Sequence, residues 1–388
     1  MQRATFIEPP ALFLPHTAER AFIGPGLCRL PDDDILMAAP WGRPPTDFEQ
    51  LAAKYPAPML YRSRDGGRTW REAGRMALPW SHAGMISDGG LTFLWLADGR
   101  LAFLAHRHVM GFHGGGAPVF AISADGGQTW SPAQTLAGRD EVYYVMNDRL
   151  IQLRRGRLVV PVAWALFGSD GRYVEGDACH GRCFLSDDGG ATWRLGRGEA
   201  ILPGDPRGIA EPCVAEVVGG RLLMLSRTGA GCLCANWSDD GGETWSATGR
   251  TTLTAACAPL TLYTLPDRRL IVFYNHAEPL YPGAFFPRNP LVYAVSGDGG
   301  RSWSEPVIVD DAGLAPVAGR HLQHIYPAAC FTGEGIVLVY STHYADPDGR
   351  FGGGGPDAWR IGGGKRCILA YPSAKFGIAA QTPLAMTG

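Results

Sequence analysis

Polar side chains that can transfer protons and hold anions occur at the ends of predicted strands. His82 begins one strand, His106 ends another, and Arg149 precedes a third. A group of imidazoles could take the C5 proton of a uronate while Arg149 or Arg227 neutralises its carboxylate, which is lyase chemistry. A lone histidine more often forms structural hydrogen bonds, so the pattern predicts chemistry only where these side chains meet. Further candidates at strand ends are Tyr143, Tyr144, Asn147, Asp148, His276, His324 and His343.

The same histidines could hold a divalent metal, because imidazole is a common metal ligand. Nothing in their spacing indicates such a site. The pairs Cys179-x-x-x-Cys183 and Cys232-x-Cys234 also lack the spacing of a zinc site. We therefore predict no cofactor and no metal.

The composition excludes several classes of partner. The 388 residues include 35 basic and 37 acidic side chains, a formal net charge of −2, and no block of like charges occurs. Neither nucleic acid nor membrane is therefore predicted as a partner. The start of the sequence lacks a basic segment followed by an apolar core, and the nine cysteines are an odd number. We expect a soluble, cytoplasmic protein with reduced, buried thiols.

One eight-residue pattern, S-x-D-G-G-x-[ST]-W, recurs five times and indicates how these side chains are positioned. An aspartate can accept hydrogen bonds from nearby amides, and Gly-Gly supplies the positive φ that a tight turn needs. The tryptophan is expected to pack between neighbouring sheets. The repeats are therefore structural elements. They begin at Ser63, Ser123, Ser186, Ser238 and Ser296.

A second recurring element, a short polar turn followed by an apolar strand, precedes each of these turns and occurs a sixth time near the end of the chain. Six units of four strands, with a period near 60 residues, predict an all-β fold, a six-bladed β-propeller. We expect one domain over residues 1–388, with the N-terminal residues completing the last sheet. The expected blades are 20–75, 80–135, 143–198, 208–250, 255–308 and 320–373.

The five turns resemble the Asp boxes of the sialidase superfamily, and the resemblance covers nearly the whole chain. Such boxes diagnose fold, since they also occur in propellers with other activities, including some polysaccharide lyases. In sialidases the central funnel, where the innermost strands begin, holds three arginines on the substrate carboxylate, a tyrosine nucleophile paired with a glutamate, and an aspartate acid/base. A neutral tyrosine can attack an anionic sugar centre without charge repulsion.

Aligned on a proline near the start of each innermost strand, four residues resemble members of that site. Glu211, before Pro212, looks like the glutamate, and Arg227, one hairpin later, looks like the second arginine. Arg288, ahead of an Asp box, is similar to the third arginine. Tyr326, which precedes a proline, resembles the tyrosine nucleophile. In blade six it has the position that Glu211 has in blade four.

The first blade departs from the family pattern. Sialidases open it with a motif like F-R-I-P, whereas this chain has Phe22-Ile23-Gly24-Pro25, so the leading arginine is replaced by Ile23. Asp47 falls where the resemblance implies the acid/base. Without this arginine, a bidentate contact to a sialic acid carboxylate is less expected. The loss therefore counts against sialic acid as the substrate more than against sugars in general.

The resemblance implies a carbohydrate-active enzyme, a retaining exo-glycosidase that cleaves a terminal acidic sugar. Tyr326 would be the nucleophile, Glu211 its base, and Asp47 the acid/base. Two alternatives stay open: a propeller lyase acting on a uronate-containing glycan, and a non-catalytic glycan-binding propeller. The predicted substrate-binding residues are Arg227, Arg288, Arg149, His82 and His106.

Three structural expectations accompany this interpretation. The Asp boxes should lie on the rim away from the funnel mouth. Arg227 and Arg288, at strand ends, should lie outside the core, so that replacing either with alanine costs substrate binding and leaves folding nearly unchanged. Strand alternation should give Tyr326 and Ala328 the same orientation, with the small side chain leaving room for substrate beside the ring.

Overall fold

The regular structure in the described part of the chain is entirely β, without a helix. No helix there is long and apolar enough to cross a membrane. The computed structural model describes residues 1–15, 22, 24–39, 58–76, 84–86, 90–109, 116–137, 142–164, 179–277, 288–312, 321–345 and 362–373.

The strands form six separate sheets, each wound from an inner strand outward. Blade one contains β3 (Gly26–Arg29), β4 (Ile35–Ala39), β5 (Met59–Ser63) and β6 (Arg71–Arg75). Blade two contains β7 (Gly84–Ile86), β8 (Thr92–Trp95), β9 (Leu101–Val109), β10 (Gly116–Ser123) and β11 (Gln134–Thr135). Blade three contains β12 (Tyr143–Tyr144), β13 (Ile151–Gln152), β14 (Leu158–Trp164), β15 (His180–Ser186) and β16 (Arg194–Leu195).

The remaining three sheets continue the same winding. Blade four contains β17 (Ala210–Glu216), β18 (Leu222–Arg227), β19 (Cys232–Ser238) and β20 (Gly249–Thr254). Blade five contains β21 (Thr261–Thr264), β22 (Leu270–Asn275), β23 (Leu291–Ser296) and β24 (Val307–Asp310). Blade six contains β25 (His321–Phe331), β26 (Ile336–Ala345) and β27 (Gly362–Leu369).

The N-terminal segment closes the ring at two places. Strand β2 (Phe6–Pro15) pairs antiparallel with β27 and becomes the outer strand of blade six, as expected from the sequence. Strand β1 (Gln2–Arg3) pairs parallel with β24 and adds a fifth strand to blade five, which the repeat pattern did not predict. Strands β25 and β3 also make contact, so blade six lies against blade one. The fold is thus the predicted six-bladed β-propeller, whereas the single-domain division with its blade bounds stays a prediction.

The hydrophobic core is divided among the six interfaces between neighbouring blades. Between blades five and six, for example, Ile271 and Phe273 on β22 pack with Leu338 and Tyr340 on β26, all fully or almost fully buried. Each of the six large apolar clusters likewise joins residues of two adjacent blades. A blade therefore buries its faces only against its neighbours, which is why the units must close into a ring.

The five Asp boxes share one network of hydrogen bonds. In the second box, Ser123 and the Thr129 hydroxyl donate to the Asp125 carboxylate, and Gly127 N donates to Ser123 Oγ. The hydroxyl of Thr129 is the main cause that lowers the pKa of Asp125 to about 2. The same three bonds occur in the other four boxes. The tryptophan packs against the preceding blade, as expected: Trp193 of the third box meets Phe120 of blade two edge to face, with 4.9 Å between ring centroids.

The boxes lie at the end of each sheet opposite the candidate site. In blade four, Leu222 at the start of β18 pairs with Ser238 of the box, whereas Arg227 at the other end pairs with Ala210. Every box lies between the last two strands given above for its blade, at that same end. The expected placement of the boxes away from the funnel is therefore confirmed.

Candidate active site

The inner strands of blades four and six each contain one residue with the same unusual backbone conformation. Glu211 has φ of 47° and Tyr326 has φ of 52°. Each residue precedes a proline, and a bulge interrupts the pairing at each, between Ala210 and Cys213 and between Ile325 and Ala328. Positive φ at a bulky side chain costs on the order of 1–3 kcal/mol and persists where the surrounding structure enforces it, often at functional sites. Glu211 and Tyr326 thus occupy equivalent positions around the axis.

Glu211 and Arg227 form a buried ion pair. Arg227 Nη1 donates to Glu211 Oε2 at 2.6 Å, with side chains 7% and 17% exposed respectively. Burial alone would raise the pKa of Glu211, but the charge and hydrogen bond of Arg227, followed by the charges of Arg288 and Arg149, lower it below its ordinary value. Glu211 is therefore an ionised proton acceptor at neutral pH.

Arg288 and Tyr326 belong to the same electrostatic cluster. Arg288 is 2% exposed, and burial followed by the charge of Arg227 lowers its pKa to about 10, against the opposing effects of Tyr326 and Glu211. Three guanidinium groups and one carboxylate, those of Arg149, Arg227, Arg288 and Glu211, sum to a charge of +2. A site with this surplus is suited to an anionic group on a substrate.

Cys257 is a member of the cluster that no sequence pattern indicated. Arg227 Nε donates to Cys257 Sγ at 3.3 Å, and the thiol is buried beside Ala256 and Ala258. The Arg227 guanidinium is thus held at two atoms, at Nη1 by Glu211 and at Nε by Cys257. The stretch of small residues around Cys257 lets blade five approach the arginine closely.

The expectation that the two arginines lie outside the core is wrong. Arg227 and Arg288 are both buried: the Arg227 guanidinium lies against Cys257, and the carbonyl of Arg288 accepts from His324 N of blade six. Removing Arg227 would leave Glu211 without its closest counter-charge, and breaking a buried pair typically costs about 3–5 kcal/mol. Alanine replacements at these positions are therefore expected to lower stability as well as substrate binding.

The expected shared orientation of Tyr326 and Ala328 is also wrong. The bulge between Ile325 and Ala328 interrupts the alternation of side chains along β25. Ala328 is fully buried in the apolar cluster between blades six and one, whereas Tyr326 is partly exposed. The small side chain therefore serves packing between blades six and one.

The segment Asn147-Asp148-Arg149 of blade three holds the inner strands of the other blades together. Arg149 donates to the carbonyls of Glu211 and Leu260, at 3.3 and 2.8 Å, and Asn147 Nδ2 donates to the carbonyl of Pro327 at 3.0 Å. These bonds fix the backbone at both Glu211 and Tyr326. Arg149 is thus a positioning residue, and a direct contact between Arg149 and substrate stays a prediction.

Asp148, the middle residue of this segment, has φ of 51°. The Tyr263 hydroxyl donates to Asp148 Oδ2 and accepts from Ala329 N at 2.8 Å. Burial is the largest effect on this group and raises the pKa of Asp148 to about 7, against the opposing effects of Tyr263 and Arg149. The folded protein therefore holds a proton that an unfolded chain releases near pH 4.

Asp148→Asn is expected to remove one pH dependence of stability. Burial raises the pKa of Asp148 in the folded protein. Its contribution to the free energy of unfolding is therefore fully present below about pH 4 and is lost as the pH rises through about 7. Relative to the variant, the native protein should lose up to about 4 kcal/mol of unfolding free energy over that window. Asparagine tolerates the left-handed backbone and keeps an acceptor for Tyr263. Denaturant unfolding from about pH 4 to pH 8 measures the difference, and parallel profiles would contradict it.

The other predicted site residues are placed as follows. His106 is buried and stacks on Tyr144, with ring centroids 5.7 Å apart and 18° between the planes. Asp47 and His82 lie outside the described residues, so their roles stay predictions. Within the described ranges, no group of three or more His, Cys, Asp or Glu side chains could hold a metal ion.

Comparisons with known proteins agree with the fold. The BNR repeat-like domain family matches residues 92–340. A protein of unknown function from Dyadobacter fermentans is 17% identical, with a TM-score of 0.67 over 95% of this chain and 100% of that chain. A Hadza microbial sialidase is 19% identical, with a TM-score of 0.62 over 90% of this chain and 66% of that one.

A third similar structure is that of a different glycosidase. An α-L-arabinofuranosidase from Fusarium graminearum, solved as a mutant with an iminosugar inhibitor, is 11% identical, with a TM-score of 0.64 over 93% of this chain and 97% of that chain. A search of curated protein sequences found no match. At these identities the structural likenesses show the fold alone.

Proposed function

The chain belongs to the BNR repeat-like domain family, and from that membership together with the geometry of the funnel we propose that it is a retaining exo-glycosidase acting on a terminal acidic sugar. The proposal rests on one observation, the cluster of Glu211, Arg227, Arg288 and Tyr326. Within it, Glu211 and Tyr326 have the same left-handed backbone conformation. Structural relatives include a sialidase and an arabinofuranosidase, which supports glycosidase chemistry in this fold.

In the proposed reaction Tyr326 is the nucleophile. Glu211 takes the proton of the Tyr326 hydroxyl as the oxygen attacks the anomeric carbon, and the leaving group departs with a proton from a general acid, for which Asp47 is the predicted residue. Water then attacks the anomeric carbon from the face opposite Tyr326 and gives a proton to the deprotonated general acid, the bond from the sugar to Tyr326 breaks, and Glu211 returns its proton to the Tyr326 oxygen. Two displacements at one carbon give net retention.

The charges of the cluster support an acidic rather than a neutral sugar. Arg227 binds Glu211 and Cys257. We propose Arg288, whose charge acts on Glu211 and Tyr326 in the same cluster, as the principal contact to the substrate anion. The ionised Glu211 beside two arginines can accept a proton without a metal. The buried position of the cluster strengthens these interactions, because solvent screening is low there.

A panel of aryl glycosides tests the substrate class. We expect release of the aryl group from an α-ketoside of a sialic acid or from another carboxylated glycoside, at a kcat/KM at least about tenfold above that on an α-L-arabinofuranoside. Nuclear magnetic resonance of the first product should show a retained anomeric configuration. Activity confined to the neutral furanoside would overturn the acidic-sugar proposal.

The same panel separates the alternatives. A uronate-containing polysaccharide that yields an ultraviolet-absorbing unsaturated product would support the lyase. Glycan binding without turnover of any substrate would support a binding propeller. The lyase receives less support from the structure, because the Arg149 guanidinium is hydrogen-bonded to backbone carbonyls.

A further inference from the structure

Cys232 and Cys234 form a dithiol pair at the start of β19. Both lie on one face of that strand, two residues apart, and a bulge in the pairing with β20 falls between them. The hairpin before the strand is held by Thr228, whose hydroxyl donates to the Cys232 carbonyl at 2.8 Å. The pair is on the blade-three side of blade four and takes no part in the proposed reaction.

Several groups close to Cys232 favour the ionised form of its thiol. Interactions with Cys234, with the charge of Arg250 and with the backbone of Thr251 act on the ionisation of Cys232. The Cys234 thiol also lies within 3.9 Å of the Thr228 hydroxyl. The Cys234 bond is the largest effect that lowers the pKa of Cys232 below that of an ordinary thiol, whereas the same bond and burial raise the pKa of Cys234. Cys232 is therefore the more readily ionised thiol of the pair.

Exposure distinguishes Cys232 from the other cysteines. All nine lie in the described part of the chain; eight are buried and Cys232 is partly exposed. Burial raises the pKa of Cys28 to about 12 and that of Cys213 to about 11, which makes those thiols unreactive at neutral pH. Oxidants and alkylating reagents should therefore reach Cys232 first.

The spacing of the pair permits a bond between the sulfurs. Residues two apart on a strand lie about 6.6 Å apart between Cα atoms, near the upper end of the disulfide range of about 4.4–6.8 Å, and the bulge at this point relaxes the extended backbone. A bond formed near that limit is strained and therefore easily reduced.

We propose that Cys232 and Cys234 are a peroxide-oxidisable dithiol that forms a reversible disulfide. The Cys232 thiolate attacks one oxygen of hydrogen peroxide, breaks the O–O bond and becomes a sulfenic acid, while the departing hydroxide takes a proton to give water. The Cys234 thiol then attacks the Cys232 sulfur and releases a second water. The dithiol loses two electrons and two protons, and the peroxide is reduced to two waters.

Peroxide titration of the reduced full-length protein tests the proposal. After treatment, unfolding in denaturant and alkylation with iodoacetamide, intact-mass and peptide analysis should show the loss of two hydrogen atoms and joint protection of Cys232 and Cys234, both of which are alkylated in the untreated protein. Dithiothreitol should restore alkylation of Cys232. Both cysteines remaining alkylatable after peroxide, or a bond formed by other cysteines, would overturn the proposal. This readout is independent of the proposed enzymatic activity.

Single substitutions separate the two steps. Cys234→Ser should stop at the sulfenic acid of Cys232, which dimedone traps, and Cys232→Ser should give neither product. Cys28→Ala, at a buried thiol between blades one and two, is the matched control and should form the same disulfide as the native protein. Equal rates of oxidation in native and Cys232→Ser proteins would also overturn the assignment.

Discussion

Tyr326→Phe is expected to reduce kcat on the best aryl glycoside by on the order of 10³-fold or more, because it removes the only atom proposed to bond to the sugar. The ring and its left-handed backbone are kept, so the melting temperature should change little. Steady-state kinetics and thermal unfolding on the same preparations measure both effects.

A matched control is available in the same blade. Tyr371 donates its hydroxyl to the Thr332 carbonyl at the hairpin that joins β25 to β26, at the end opposite Tyr326. Tyr371→Phe also removes one hydroxyl and should retain native kcat. If Tyr326→Phe keeps more than about a tenth of the native rate, the tyrosine is not the nucleophile.

Glu211→Gln is expected to affect both activity and stability. The amide cannot take the Tyr326 proton, so kcat/KM should fall by about 10²–10⁴-fold. The substitution also removes the carboxylate that compensates Arg227, Arg288 and Arg149, which should lower the unfolding free energy by about 3–5 kcal/mol. Kinetics and denaturant unfolding report the two losses separately.

Glu216→Gln is the control for this substitution. Glu216 lies on the same strand, β17, at the end near the Asp boxes, where its carboxylate accepts from Arg154 N at 2.9 Å. This variant should keep native kcat/KM. A Glu211→Gln protein with native turnover would exclude a base at that position, whatever its stability.

The propeller was predictable because its most informative signal is local. An Asp box makes its hydrogen bonds within eight residues, so the sequence pattern and the structure correspond directly, as in Ser123, Asp125 and Thr129. The parallel pairing of Gln2 with Val307 was not predictable, because it joins distant segments and is not part of any repeat.

The site was predictable only in part. The spacing of Glu211 and Arg227 placed them at one end of a hairpin, and the structure joins them in an ion pair. The contact of Cys257 with Arg227 carries no motif. The burial of Ala328 follows from a bulge that strand alternation does not reveal.

The identity of the covalent intermediate tests the central claim most directly. A fluorinated, slow-turnover analogue of the cleaved sugar should trap the glycosyl–enzyme, and intact-protein mass spectrometry followed by peptide mapping should place one sugar on Tyr326. The same reagent should leave Tyr326→Phe unmodified and Tyr371→Phe labelled like the native protein. An active enzyme that never forms this adduct and releases an unsaturated sugar would contradict the account.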